Sequence, residues 1–275
     1  MSLNPPVLLP IAFPSSSNNI SYLALVDYDK PCLLYQSLSI NQSNNNQSIN
    51  HFVPQQTIAN MSFIAVPAED ADMPRLFEIT SLAFKDNEPF WDAMYPRHNT
   101  PEGRRLGGER FVKTKNADPN TLYLKAVDEH TGEIAGFAKW NVFRNRFPAP
   151  AKAEGDFWDN DEEKAYCQHL MTEFNRDRML FLKGTNGNAV NLDICVIDPK
   201  YQRMGIGGLL VKWGVEKADE LGFDAIVESS VYGRGLYEKN GFVFEKNVTL
   251  PLPEQWASRP KSAYAWLVRP KKTKN

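Results

Sequence analysis

The sequence predicts an α/β protein with a partly antiparallel sheet, and two observations carry this prediction. Between Ala189 and Ser229, two apolar strand patterns flank one long helical pattern, and parallel strands require such a crossover. Between Thr121 and Phe143, two further strand patterns are separated only by a tight turn, which is typical of an antiparallel hairpin.

The elements of the first half follow from hydrophobic periodicity. Pro67 ends a short strand, and the acidic residues that follow suit the positive end of a helix in which Leu76 and Ile79 have helical spacing. Two weaker helical segments come next, and then the hairpin. In order, the predicted elements are a strand at Ser62–Val66, helices at Ala68–Phe84, Glu88–Pro96 and Pro101–Lys115, and strands at Thr121–Val127 and Glu133–Phe143.

The second half opens with an insert, residues 144–187, which contains a loop and one predicted helix from Asp161 to about Arg178. A run rich in β-branched residues then predicts a buried strand, and Gly222 ends the long helix after it. In order, the remaining elements are strands at Ala189–Ile197 and Phe223–Ser229 around a helix at Gly205–Leu221, a short helix at Gly233–Asn240, and strands at Phe242–Leu250 and Ser262–Val268.

Composition excludes several classes of protein. The chain has 275 residues, of which 42% are hydrophobic, and its net charge of -2 gives no electrostatic footprint for nucleic acid. Three widely spaced cysteines and four unpaired histidines predict neither a disulfide framework nor a metal site. No apolar run reaches the roughly 18 residues that a membrane helix needs. Without a basic signal-peptide region, we expect a reducing, cytoplasmic location.

The first 60 residues differ from the rest of the chain. They contain three charged residues, Asp27, Asp29 and Lys30, and a polar tract at Ser39–Asn50. Such a tract cannot bury enough apolar surface to offset the entropy of ordering. We expect residues 1–60 to be a disordered extension and residues 61–275 to form the folded domain. One hypothesis is that Met61 is the physiological start, and the alternative is a genuine extension.

The segment KYQRMGIGGLL, Lys200–Leu210, raises the question of a ligand. It lacks the third glycine of a dinucleotide fingerprint and the Lys-Ser/Thr of a phosphate-binding P-loop. Glycines before a helix allow close backbone approach, and the unpaired N–H groups suit an anion such as a pyrophosphate. Lys200 and Arg203 add positive charge. The alternative interpretation is a glycine-rich helix start without a ligand.

Three motifs in order resemble the GNAT superfamily of acetyl-CoA-dependent N-acetyltransferases. Gln202–Gly207 fits the Q/R-x-x-G-x-G/A signature, LDICVIDPKYQ is similar to the family's fourth strand and its exit loop, and LYEKNGF, Leu236–Phe242, is similar to its last-helix motif. The resemblance extends over about Met61–Val268. It implies the N-acyltransferase fold, in which a mixed, mainly antiparallel sheet is flanked by helices.

The resemblance also implies an activity. It indicates transfer of the acetyl group of acetyl-CoA to a primary amine, with a small-molecule acceptor and direct attack in a ternary complex. A protein N-terminus or a lysine is an alternative acceptor, and succinyl or a longer acyl group an alternative donor. A non-catalytic module that binds acyl-CoA is the alternative of another class. No metal is implied.

The family's residue roles map onto this sequence position by position. By this resemblance, the pyrophosphate of the cofactor lies on backbone amides, and Gly208 allows its close approach. The pantetheine arm pairs with a strand, where the Val196 N–H polarises the thioester carbonyl, and Tyr237 protonates the departing thiolate. Ser230 stands near a position where many members have a cofactor-binding Asn. The amides are those of Gln202, Arg203, Met204, Gly205, Ile206 and Gly207, and the strand residues are Cys195, Val196 and Ile197.

The chemistry adds candidates for the proton acceptor. An amine with a pKa of about 10.4 must lose a proton before it attacks. Asp193, within a strand, and Glu228, at the end of the next strand, are the candidate bases, and the alternative is a structural role in the sheet. Cys195 has no neighbouring His, so we interpret it as a small buried hydrophobic residue and not as a nucleophile.

Two aromatic-rich segments, Phe84–Tyr95 and Trp140–Trp158, are the candidates for the acceptor pocket. Core packing is the alternative for each single residue. The acidic run Gly155–Glu163 either attracts a cationic amine or begins a helix. The aromatic candidates are Phe90, Trp91, Tyr95, Trp140, Phe143, Phe147, Phe157 and Trp158.

Overall fold

A computed structural model of the chain describes residues 62–85 and 88–272. The predicted extension over residues 1–60 and the start of the domain at Met61 lie outside these residues. The strands are β1 (Phe63–Pro67), β2 (Thr121–Asp128), β3 (Ile134–Phe143), β4 (Ala189–Ile197), β5 (Ala225–Ser229), β6 (Val243–Thr249) and β7 (Ala263–Arg269). The helices are α1 (Met73–Phe84), α2 (Pro89–Met94), α3 (Pro101–Ala117), α4 (Asp161–Phe174), α5 (Arg176–Gly184), α6 (Ile206–Leu221) and α7 (Arg234–Lys239).

The strands form one mixed sheet in the order β1-β2-β3-β4-β5-β7-β6. Only β4 and β5 pair in parallel, and α6 is the crossover between them. The other neighbouring strands are antiparallel, including the predicted hairpin of β2 and β3. The predicted class, a mixed and mainly antiparallel sheet flanked by helices, is therefore confirmed.

Helices cover both faces of this sheet. On one face, α6 packs over β3 and β4, where Gly214 lets the helix approach Trp140, whose ring atoms lie within 2.4 Å of the place of a Cβ at this glycine. On the other face, α1, α2 and α3 pack around Phe77 and Phe111. The insert helices α4 and α5 cover β5 and β7 on that same face through Leu170 and other apolar residues.

The insert differs from the prediction in one respect. The sequence predicts a single helix from Asp161 to about Arg178, whereas α4 ends at Phe174 and α5 begins at Arg176. Asn175 separates them, and its side-chain Nδ2 donates to the Met171 carbonyl at 2.7 Å. A side-chain donor competes in this way with the helical N–H groups for the same carbonyl. The break gives α5 its own direction and its own first turn.

Candidate active site

The site begins where β4 and β5 part. Their parallel ladder pairs Val190–Leu192 with Ala225–Val227, although both strands continue beyond it. Opposite β3, Lys139 pairs with Ile194 and Trp140 pairs with Leu192, so Asp193 is the extra residue of a β-bulge. A bulge bends its strand and redirects a side chain. The backbone of β4 beyond Leu192 therefore lies outside the ladder with β5.

The chain turns from β4 into α6 through two residues with left-handed backbone. Arg203 has a φ of 68° and Gly205 a φ of 82°, and Gly205 is the N-cap of α6. The N-cap provides no side-chain acceptor, so the first N–H groups of the helix have no side-chain cap. Uncapped N–H groups at a helix start are suited to binding an anion.

The glycines of this turn have different roles. A Cβ at Gly207 would lie 2.9 Å from Leu236 Cδ2, so Gly207 lets α7 approach α6 closely. A Cβ at Gly205 or Gly208 would meet no described heavy atom within 4 Å. The space above these two residues is open, which is what a ligand that contacts the helix start requires. Within the same turn, Gln202 Nε2 donates to the Ile197 carbonyl at 3.3 Å, which connects the turn to the end of β4.

The cations predicted to support this turn are not equivalent in the structure. Lys200 Nζ lies 2.6 Å from Glu133 Oε2, so its charge is partly neutralised. Arg203 is exposed and forms no ion pair among the described residues. The turn therefore offers a ligand its backbone N–H groups and the Arg203 charge, whereas the Lys200 charge is partly neutralised.

Tyr237 lies in α7 and is only 6% exposed. Burial, with a smaller effect of Cys195, raises the pKa of the Tyr237 phenol well above its usual value of 10. The phenol therefore carries its proton at neutral pH. Tyr237 belongs to the same apolar cluster as Cys195 of β4, which agrees with a proton donor beside this strand and also with a packing role.

A buried ion-pair network lies at the point where the strands part. Lys139 Nζ is 2.6 Å from Asp193 Oδ2, and Arg178 Nη2 is 3.0 Å from Asp193 Oδ1. Arg178 also donates from Nε and Nη2 to the two carboxylate oxygens of Glu228, at 3.0 and 2.9 Å. Asn191 Nδ2 lies 3.2 Å from Glu228 Oε2. The network joins β3, β4, β5 and α5.

The ion pairs of Asp193 decide its basicity. Burial alone would raise the pKa of Asp193, but the charges of Lys139 and Arg178 outweigh it and hold that pKa well below its usual value. A carboxylate with a lowered pKa is a weak proton acceptor, so Asp193 is a weak candidate for the base. Glu228 accepts from Arg178 through both oxygens. The base roles of both residues stay predictions.

A cavity of about 1120 Å³ opens from this network. Its lining includes the four ion-paired residues of the network, Ser230, and aromatic side chains from α1, α2, β3, the insert and β7. Two predicted candidates do not line it: Trp140 is fully buried beneath α6, and Trp158 donates from Nε1 to the Ala93 carbonyl at 2.8 Å. The aromatic lining residues are Phe84, Phe90, Trp91, Tyr95, Phe143, Phe147, Phe157, Phe174 and Tyr264.

The acidic run Gly155–Glu163 ends in the first turn of α4, which begins at Asp161. The Asn160 side chain accepts from the Glu163 N–H at 2.9 Å, and acidic residues fill the first turn of α4. The Glu163 carboxylate also binds Arg259, with Oε1 and Oε2 each 2.7 Å from a guanidinium nitrogen.

Lys139 and Arg178 are site residues that the sequence did not predict. Lys139 stands out as a single cation within the apolar strand β3, which is a usable signal. Arg178 carries no such signal, because its partners come from strands 15 and 50 residues further along the chain. Within the described residues, no group of three or more His, Cys, Asp or Glu could hold a metal ion. Nor does any described helix have the length and apolar character to span a bilayer.

Comparison with known proteins identifies the family. The sequence model of the acetyltransferase (GNAT) family matches residues 83–242, more than half of the chain, and the protein belongs to this family. The family and fold define an acetyl-CoA-dependent acyltransferase. No curated protein matches the chain at a significant level.

Solved structures with the same fold are distant in sequence. One is a mosquito arylalkylamine N-acetyltransferase like 5b, with a TM-score of 0.54 and 16% identity, covering 75% of this chain and 99% of that one. A second is arylalkylamine N-acetyltransferase 2 of Aedes aegypti, with a TM-score of 0.52 and 14% identity over 75% and 98% of the two chains. A third is the histone acetyltransferase HPA2 and related acetyltransferase of Corynebacterium glutamicum, with a TM-score of 0.51 and 19% identity over 78% and 99%. At these identities the likeness concerns the fold alone.

Proposed function

We propose that the protein is an N-acetyltransferase that acetylates the primary amine of a small molecule with acetyl-CoA. The observation that carries the proposal is the parting of β4 and β5 beside the open, glycine-lined N-terminus of α6. The parted strand offers backbone groups to a pantetheine arm, and the helix start offers N–H groups to a pyrophosphate. Ser230, which lies beside the cofactor in this proposal, lines the cavity together with Asp193 and Ile194 of β4.

The cavity supports a small acceptor. Its volume of about 1120 Å³ is close to the roughly 300–1,000 Å³ typical of small-molecule pockets. The insert loop at Phe147–Lys152 and helices α4 and α5 contribute to its wall, so the site is a walled cavity and not a flat groove. A protein N-terminus or lysine would need an open groove for the flanking chain.

In the proposed binding mode, the amides of Gln202–Gly207 hold the pyrophosphate, with Gly208 at close approach. Cys195, Val196 and Ile197 pair with the pantetheine arm, and Ser230 lies beside it. When bound, acetyl-CoA supplies a thioester whose carbonyl carbon accepts the amine. The N–C bond forms, the C–S bond breaks, and the proton lost by nitrogen balances the proton gained by sulfur.

The chain's own residues then have distinct tasks. The Val196 N–H donates to the thioester oxygen and stabilises negative charge there. The Tyr237 O–H donates its proton to the departing sulfur. Asp193 stays ionised and, together with Glu228, holds Lys139 and Arg178, while the amine proton leaves through water in the cavity.

The experiment combines binding and turnover on the full chain. Acetyl-CoA at 100 times its dissociation constant stabilises a protein by about 2.7 kcal/mol, which is a readable shift in melting temperature. Thiol release is then measured with a panel of small amines and a lysine-containing peptide. A thermal shift with amine-dependent thiol release supports the proposal. A shift without turnover of any acceptor identifies a binding module, and faster turnover of the peptide contradicts a small-molecule acceptor.

A further inference from the structure

Arg110 of α3 has an unusual environment beside the large cavity. Its guanidinium carbon lies 3.9 Å from the ring centroid of Tyr95 and 4.6 Å from that of Phe157. Nη1 donates to the Met94 carbonyl at 2.7 Å. These contacts fix the plane of the guanidinium group, and Nε and Nη2 have no hydrogen-bond acceptor among residues 62–85 and 88–272.

The other cations that line the cavity and are not exposed have carboxylate partners. Lys139 binds Asp193 and Arg178 binds Asp193 and Glu228, as described above. Arg146 Nη2 lies 2.7 Å from Asp118 Oδ2. Arg110 has no Asp or Glu partner in the described part of the chain, although burial lowers the pKa of its guanidinium. A partly buried guanidinium without a carboxylate partner destabilises the fold, and an anionic ligand that binds it would offset this cost.

Arg110 lies within reach of a small acceptor. Tyr95, which stacks on Arg110, lines the same cavity as Lys139 and Asp193, near which acetyl transfer is proposed. Arg110 itself also lines this cavity. The unpaired guanidinium and the proposed transfer site therefore face one common space. An acceptor with its amine at that site can place a second group against Arg110.

We propose that Arg110 binds a carboxylate of the acceptor, so that the substrate is an amino acid and the product an N-acetylamino acid. This inference rests on the proposed acetyl transfer and names the substrate class of the same site. The two unused donors, Nε–H and Nη2–H, form the side of the guanidinium that binds a carboxylate in bidentate geometry. The aromatic contacts hold this fork in place before substrate binds.

Matched pairs of acceptors separate recognition from packing. Each pair is an amino acid and its decarboxylated amine, namely phenylalanine with 2-phenylethylamine, and lysine with cadaverine. The ratio of their kcat/KM values is compared between the wild type and Arg110→Gln. The comparison cancels the difference in pKa between the two amines of a pair, because the wild type and Arg110→Gln act on the same two compounds. Arg105→Gln is the control, since Arg105 is an exposed residue of the same helix, paired with Glu102.

We expect the wild type to prefer the amino acid of a pair. Loss of a charge-assisted bidentate contact lowers kcat/KM for the acid by about 10- to 100-fold. In Arg110→Gln the value for the decarboxylated amine stays unchanged, and Arg105→Gln leaves both values unchanged. Arg110→Lys retains the charge but not the fork, and restores only part of the loss. The thermal shift with acetyl-CoA confirms that each variant is folded.

Three results would overturn the inference. Two of them leave the proposed acetyl transfer intact, and the third overturns it as well. If the wild type prefers the decarboxylated amines, or if Arg110→Gln lowers both values of a pair equally, Arg110 does not bind a carboxylate. Acetyl transfer to an amine would then still stand. If acetyl-CoA binds but no acceptor of any kind releases thiol, the proposed function fails and the substrate class fails with it.

Discussion

Arg178 binds both carboxylate oxygens of Glu228, with Nε 3.0 Å from Oε1 and Nη2 2.9 Å from Oε2. The two side chains are 7% and 1% exposed. Arg178 comes from the insert helix α5 and Glu228 from β5, and Asp193 of the β4 bulge shares the same guanidinium. A single buried cation therefore connects the insert to both strands at the point where they part.

Replacement of Arg178 by Met removes that connection. Asp193 keeps Lys139, but Glu228 is left without its cation in a buried site, and breaking a buried pair costs about 3–5 kcal/mol. We expect the free energy of unfolding from urea titration to fall by about that amount. The exposed Arg105→Gln should change it by less than about 0.5 kcal/mol. A loss below about 1 kcal/mol in Arg178→Met would contradict the connecting role.

The lowered pKa of Asp193 predicts how stability depends on pH. The folded protein holds this carboxylate ionised more strongly than the unfolded chain does, because Lys139 and Arg178 are its partners. Its contribution is therefore complete above the ordinary value of 3.8 and is lost as pH falls towards the lower folded value. Asp193→Asn should be less stable than the wild type at pH 7, and the difference should narrow below about pH 4. Urea titrations across this range check it, and a constant difference would contradict the assignment.

Replacement of Gly208 by Ala tests the proposed cofactor site, because the added Cβ does not clash with the described residues of the protein itself. A Cβ at this position meets no described atom within 4 Å, and alanine is the better helix former by about 1 kcal/mol. Gly208→Ala should therefore fold at least as well as the wild type while it binds acetyl-CoA more weakly, because the Cβ enters the space of the ligand. Isothermal titration measures the affinity.

Gly235→Ala is the matched control for this substitution. Gly235 is a helical glycine of α7 whose added Cβ also meets no described atom within 4 Å. It should leave the affinity for acetyl-CoA unchanged. If both variants bind acetyl-CoA as tightly as the wild type does, the proposed cofactor position at the start of α6 is wrong.

Tyr237→Phe tests the proton donor. The raised pKa keeps the phenol protonated at neutral pH, and loss of general acid help lowers the rate by about 10²-fold or more. We expect kcat to fall while the affinity for acetyl-CoA stays the same. Tyr232→Phe is the control, since Tyr232 is 93% exposed in the loop before α7. An unchanged kcat in Tyr237→Phe would leave this residue with a packing role only.

The fold was predictable where local pattern decides the structure. The hairpin of β2 and β3, the long helix α6 and the crossover from β4 to β5 all follow from periodicity and turn residues. The division of the insert into α4 and α5 was not predictable, because it depends on one side-chain hydrogen bond of Asn175. Most of the proposed cofactor residues lie in one short segment, Cys195–Gly208, which is why a single sequence suffices to suggest them.

The acceptor end of the site could not be predicted in the same way. Its charged groups come from α3, β3, α5, β4 and β5, and no spacing along the chain connects Arg110 with Lys139 or Arg178. The sequence suggested Asp193 as a base because it shows the position of Asp193 within a strand but not the ion pairs with Lys139 and Arg178. Only the folded chain shows that Lys139 and Arg178 lower its basicity.

Direct transfer of the acetyl group in a ternary complex is tested by initial velocities in which the concentrations of acetyl-CoA and an amine are varied together. Burial raises the pKa of the Cys195 thiol to about 12, so this cysteine is protonated at neutral pH and unsuited to carry the acetyl group. We predict intersecting double-reciprocal lines, amine-dependent thiol release, and the same pattern for Cys195→Ala. Parallel lines, with an acetylated protein found by mass spectrometry in the absence of amine, would contradict direct transfer.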